Sequence, residues 1–247
     1  MFSSMAALSL ELLASFGNRV SLGNVSARNG AQRSPQSEEV LSLGWPELEA
    51  LLPEGGFPRG AVVELASPHA IGGSTRIALS AVRAAHAKDP RAWCAWIDPE
   101  GTLYAPGIAR AQVDLRRLFV VRPARIDLGR IAVKVAAAGA FEVIVIDMDP
   151  VRAALRASEK TPAACRGQTR RRVPPEVLVR KLALAAAEGG SNIFLLTDVS
   201  APRAVPWPVA LRLEVARRPD ALAIRVAKDR RGKMSLAKTW IPLSEPR

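Results

Sequence analysis

The sequence predicts an α/β protein: a mostly parallel sheet flanked by helices, with antiparallel strands added at the C-terminal end. Three observations carry this. Short apolar runs alternate with segments of helical period from Val40 onward. Acids stand at or just past several of those runs, at Asp98, Asp147 and Asp198. A glycine-bearing loop joins the first run to the first helix, the arrangement that gathers backbone N–H groups around an anion.

Composition sets the outer limits. A chain of 247 residues with 49% apolar side chains has enough hydrophobic mass for one α/β core, which argues against general disorder. Lys and Arg total 35 against 23 acids, a net +12, which favours nucleic acid, an acidic partner or an anionic surface. Aromatics are only 5%, too few for stacking platforms along a single strand. Cys94 and Cys165 lack the spacing of a zinc site or a disulfide framework. Neither a secretory leader nor a membrane-length apolar run is legible, so a cytoplasmic protein is expected.

Residues 1–38 are expected to form an N-terminal helix and a linker, and 39–247 the core domain. Leu8, Leu12 and Leu13 share one side of a helix over 5–16, and the Ser-, Asn-, Gly- and Arg-rich stretch 17–38 reads as linker. AVVELA then suits a fully buried strand. Ile77, Leu79, Val82 and Ala85 fit a helix that Asp89-Pro90 ends. Strands follow at 92–97 and 118–123, a helix over 128–138, and a strand at 143–146 ending in Asp147. The arginine-rich stretch 149–175 is long for a connection inside a compact domain. A helix over 176–187, with Val177, Leu178, Leu182 and Ala185 inward, stops at Gly189-Gly190. A strand at 193–196 and a proline-rich crossing precede two antiparallel strands, 211–216 and 221–226. KDRRGK (228–233) reads as a charged hairpin tip before a last strand near Trp240.

The chemistry centres on Gly72, Gly73, Ser74 and Thr75. A phosphate loop ends in Gly-Lys-Ser/Thr, so the second glycine and the hydroxyls are present and Gly73 replaces the lysine. Arg76 lies beyond the hydroxyls, where its side chain points elsewhere. Losing the phosphate-binding cation removes roughly 1.5–3 kcal/mol of charge-assisted bonding. Ser74 and Asp147 are the residues that would hold Mg²⁺ with ATP, and Glu100 would direct the attacking water. No metal or cofactor is assigned beyond that condition. Arg166, Arg170, Arg171 and Arg172 favour DNA or an acidic partner over a merely solvated charge run. Lys228 and Arg230, in the KDRRGK tip, read equally well as a DNA or partner contact and as a solvated charge run.

From about Val40 to Lys233 the chain resembles the RecA-like P-loop core, through GFPRG before AVVEL, WIDPE (96–100), VIVID (143–147) and FLLTD (194–198). Within that group it is most similar to the ImuA family, RecA-like accessory factors of bacterial mutagenic translesion synthesis. The strings that carry this are GGFPRGAVVEL, LYAPGIARAQVDLRRLFVVRP, RKLALAAAEGG and PVALRLEVARRPDALAIRV. The resemblance implies a RecA-like core with a decayed nucleotide loop. It also implies a DNA-damage (SOS) role as a non-enzymatic scaffold, nucleoid-associated when active. Its expected partners are an ImuB-type polymerase-like protein and RecA, with an error-prone C-family DNA polymerase indirectly and DNA as a further partner. By the same resemblance Glu100 matches the activating glutamate and Asp147 the Walker B acid. Lys228 and Arg230 match a basic pair that reaches a neighbour's nucleotide. The short APRAVPWP crossing leaves no room for a long DNA-binding loop, so strand exchange is not expected. Two alternatives stay open: a DNA-dependent ATPase with an atypical loop, and a SulA-like inhibitor of cell division.

Overall fold

The computed structural model describes residues 40–68, 73–148, 174–200, 207–230, 232, 234–235 and 237–243. The expected helix at 5–16, the linker, the arginines at 166 and 170–172, and Gly72 lie outside the described residues.

Among the described residues, a two-stranded antiparallel ribbon, β1 (Val40–Leu41) and β2 (Phe57–Pro58), leads into an eight-stranded sheet. The sheet contains β3 (Val62–Ser67), β4 (Cys94–Ile97), β5 (Leu118–Val121), β6 (Val143–Asp147), β7 (Asn192–Asp198), β8 (Leu211–Arg217), β9 (Ala221–Asp229) and β10 (Thr239–Pro242). Their spatial order is β10-β9-β8-β3-β7-β6-β4-β5. From β8 across to β5 every pairing is parallel, while β9 and β10 are antiparallel additions. This is the mostly parallel sheet with an antiparallel C-terminal extension that the sequence predicts.

The helices are α1 (Pro46–Glu49), α2 (Ser74–Lys88), α3 (Ala105–Arg110), α4 (Leu128–Ala137) and α5 (Pro175–Gly189). Strand alternation sends Val63 and Leu65 to one face, where α2 buries Ile77, Ala78, Ala81, Val82 and Ala85. Val62, Ile144, Ile146, Ile193 and Leu195 face the other side, under α4 and α5. Both faces of the central strands are therefore covered, as a parallel sheet requires. Helix α5 begins on Pro175, whose missing N–H costs nothing at a first turn. It stops at Gly190, whose φ of 69° is the left-handed cap that glycine adopts without strain.

Two expectations need correction. Val177 points outward and is 39% exposed; Val179 takes the buried place beside Leu178, Leu182 and Ala185. Lys228 and Asp229 belong to β9, so the strand runs on into the expected hairpin tip. The ribbon, α1 and α3 were not anticipated, since each is too short to show a period.

Candidate functional site

Helix α2 starts beyond the carboxyl end of β3, the end of a parallel sheet where ligands bind. Its N-cap is Gly73, which supplies no side-chain cap. Ser74 is 3% exposed, and its hydroxyl donates to the Leu65 carbonyl at 3.3 Å, tying the helix start back to β3. Thr75 is exposed. Arg76 turns away from the loop and lies over the Trp45 ring, 5.5 Å from its centre, as its position beyond the hydroxyls implies.

Asp147 ends β6 on the face that carries Val143 and Val145, the α2 side of the sheet. The register aligns Asp147 with Leu196 of β7, and Leu196 with Leu65 of β3. Two strand spacings, roughly 10 Å, therefore separate Asp147 from the carbonyl that Ser74 holds. Ser74 and Asp147 share one side and one end of the sheet. Glu100 follows β4 at that end, and its carboxylate is bridged by Arg125, whose pKa the carboxylate raises.

The neighbouring acids have structural partners. Asp98 is fully buried and accepts from the Thr102 N–H (3.1 Å), the Thr102 hydroxyl (3.3 Å) and the Leu103 N–H (2.9 Å), which fixes the turn that carries Glu100. Asp198 accepts from the N–H and hydroxyl of Ser200, both at 2.8 Å.

Lys228 and Arg230 sit elsewhere. The end of β9 pairs with the start of β8, beside the start of β3, so both cations stand at the opposite end of the sheet from Ser74. The Lys228 ammonium donates to the Trp207 carbonyl at 2.6 Å, and Arg230 lines a cavity with Glu54, Arg59 and Asp229. They are not part of this chain's own loop site.

The feature the sequence could not give is the surroundings of Gly73. A β-carbon there would overlap Leu222 Cδ2 and stand 3.1 Å from Val215 Cγ1. Leu222 and Val215, each 1% exposed, come from β9 and β8 and fill the space into which a side chain at position 73 would leave the backbone. Ser74 and Asp147 suit Mg²⁺ by chemistry; position 73 itself supplies no cation, and a side chain there requires the Leu222 methyl to move aside. Among the described residues no three His, Cys, Asp or Glu side chains gather as a metal cluster.

A parallel sheet, a glycine-hydroxyl loop opening its first helix, and acids at the neighbouring strand ends define the class of RecA-like α/β proteins. Residues 14–161 match the RecA N-terminal domain family, and the chain belongs to it. It is similar to protein RecA of Acidiphilium cryptum, 33% identical over 124 residues, which is 49% of this chain and 34% of that protein. It is also similar to protein RecA of Gluconacetobacter polyoxogenes, 35% identical over 130 residues, 51% of this chain and 35% of that one. Protein RecA of Streptococcus pyogenes is 32% identical over 117 residues, 47% and 30%. The matched stretch thus spans about a third of the length of these relatives. No helix among the described residues is long and apolar enough to cross a membrane.

Proposed function

We propose that this chain is a non-hydrolytic, RecA-like accessory scaffold in DNA-damage-induced mutagenesis. It joins an ImuB-type polymerase-like protein and RecA, and through them an error-prone C-family DNA polymerase, with DNA as a further partner. The observation that carries the non-hydrolytic reading is Gly73 packed under Leu222 and Val215. Where a lysine would engage phosphate, the fold has apolar contact, and the charge that stabilises a transferring phosphoryl group is missing. The ImuA-like strings and the net charge of +12 support the scaffold role.

Pure protein is expected to release no phosphate from ATP·Mg²⁺ above background, with or without DNA. It is expected to retain ImuB and RecA homologues in pull-downs. A deletion strain is expected to lose damage-induced mutations. Absence of binding together with unchanged mutagenesis overturns the reading.

One observation favours a second reading, an ATPase with an atypical loop: Ser74 and Asp147 keep a common face and end of the sheet. DNA-stimulated turnover that disappears in Glu100→Gln would establish it in place of the first.

A further inference from the structure

The other end of α2 carries a second cavity, about 500 Å³, walled by Ser42–Gly44, by Arg83, His86 and Ala87 of α2, and by Gln112, Asp114 and Arg117. Its size suits a small ligand. His86 is 6% exposed, its ring makes no hydrogen bond of good geometry among the described residues, and the Arg117 backbone can engage only one of its two nitrogens. A buried imidazole nitrogen left unsatisfied is costly unless something else pairs with it.

The surrounding charges state what could do so. The Asp114 carboxylate is occupied: it accepts from the Arg116 N–H at 2.9 Å and from Arg117 Nε at 2.9 Å. Arg117 also donates to the Asp89 carbonyl at 3.2 Å, which holds its guanidinium beside the cavity. Arg83, one helical turn before His86, makes no ion pair among the described residues. Both carboxylates beside the wall are already engaged, Asp114 by Arg117 and Glu49 by the Ser42 hydroxyl and the Leu43 and Gly44 N–H groups, which leaves the Arg83 guanidinium as the cation facing the partial negative charge of the last turn of α2. Gln112 turns the chain along the wall with a φ of 59°, a left-handed conformation rare for a residue with a side chain.

We infer that this cavity binds a compact oxyanion, a phosphate or a carboxylate, between the guanidiniums of Arg83 and Arg117 and over the His86 ring. The site is separate from the loop at Gly73 and stands whether or not that loop holds a nucleotide. Burial and the charge of Arg117 lower the His86 pKa, a hydrogen bond with the Arg117 backbone and the charge of Asp114 oppose them in part, and an anion beside Arg83 would push it back up.

The chain has two histidines, His69 and His86, so ring resonances of the whole protein report the site directly, with His86→Gln giving the assignment. Inorganic phosphate and succinate are titrated separately, the first arm for phosphate and the second for carboxylate. The expected result is a saturable shift of the His86 ring with at least one of them, and a higher His86 pKa in the saturated protein. Arg83→Ala should weaken that binding by about tenfold or more, and Arg83→Lys, which keeps the charge, by less. A shift that rises linearly without saturation, a response confined to His69, or equal affinity in Arg83→Ala overturns the inference.

Discussion

The two ends of α2 are opposite in character. At the N-terminal end, where related folds keep a charge for an anion, Gly73 is pressed against Leu222 and Val215. At the C-terminal end, a buried histidine with an unsatisfied ring nitrogen and a guanidinium with no ion pair among the described residues border a cavity of about 500 Å³. The difference teaches that a motif's position and its physical capacity to hold a ligand are separate properties. A helix start gains its anion site from open N–H groups and a nearby cation, and at Gly73 the nearest side chains are apolar.

The largest effect should come from Gly73→Lys. Overpacking and a partly buried ammonium together should cost at least about 3 kcal/mol, read by denaturant unfolding, with no gain in phosphate release. Making space sharpens the test. The double variant Gly73→Lys with Leu222→Ala should be less destabilised than the sum of the singles, by about 1 kcal/mol or more. At the other end the sign reverses: His86→Leu removes a buried imidazole with an unsatisfied nitrogen and should stabilise by about 1 kcal/mol.

His86 also gives a pH signature. Its folded pKa lies below the ordinary 6.5, so the unfolded chain takes up the proton first. Stability is therefore greatest above pH 6.5 and falls as the pH drops toward the lowered value. That slope should flatten in His86→Leu. The smallest effect is expected from Glu100→Gln, a surface change that leaves the thermal midpoint unmoved, because its pair with Arg125 is solvent-screened.

Most of the sheet was legible because its strands are buried on both faces and read as largely apolar runs, with Val143–Ile146 unbroken and Val62–Leu65 interrupted only by Glu64. Ser74, Asp147 and the turn after β4 were legible as positions because strand ends and helix starts are local features. What stayed hidden was long-range. Leu222 is far along the chain from Gly73, and nothing near either residue announces their contact. Val177 was misplaced because the buried face of α5 runs through Leu178, Val179, Leu182, Ala185 and Ala186, and Val177 falls just off that arc. His86 was passed over because a single histidine in a helical pattern gives no sign that the 112–117 segment folds back over it.

The contact between position 73 and β9 also ties two distant positions of the chain together. A longer side chain at the helix start has to displace the Leu222 methyl, so its cost depends on how far that side chain can rotate. A smaller residue at 222 makes the room but alone opens a void in the core. Were an ammonium to be placed at the helix start, the two positions would therefore have to change in concert.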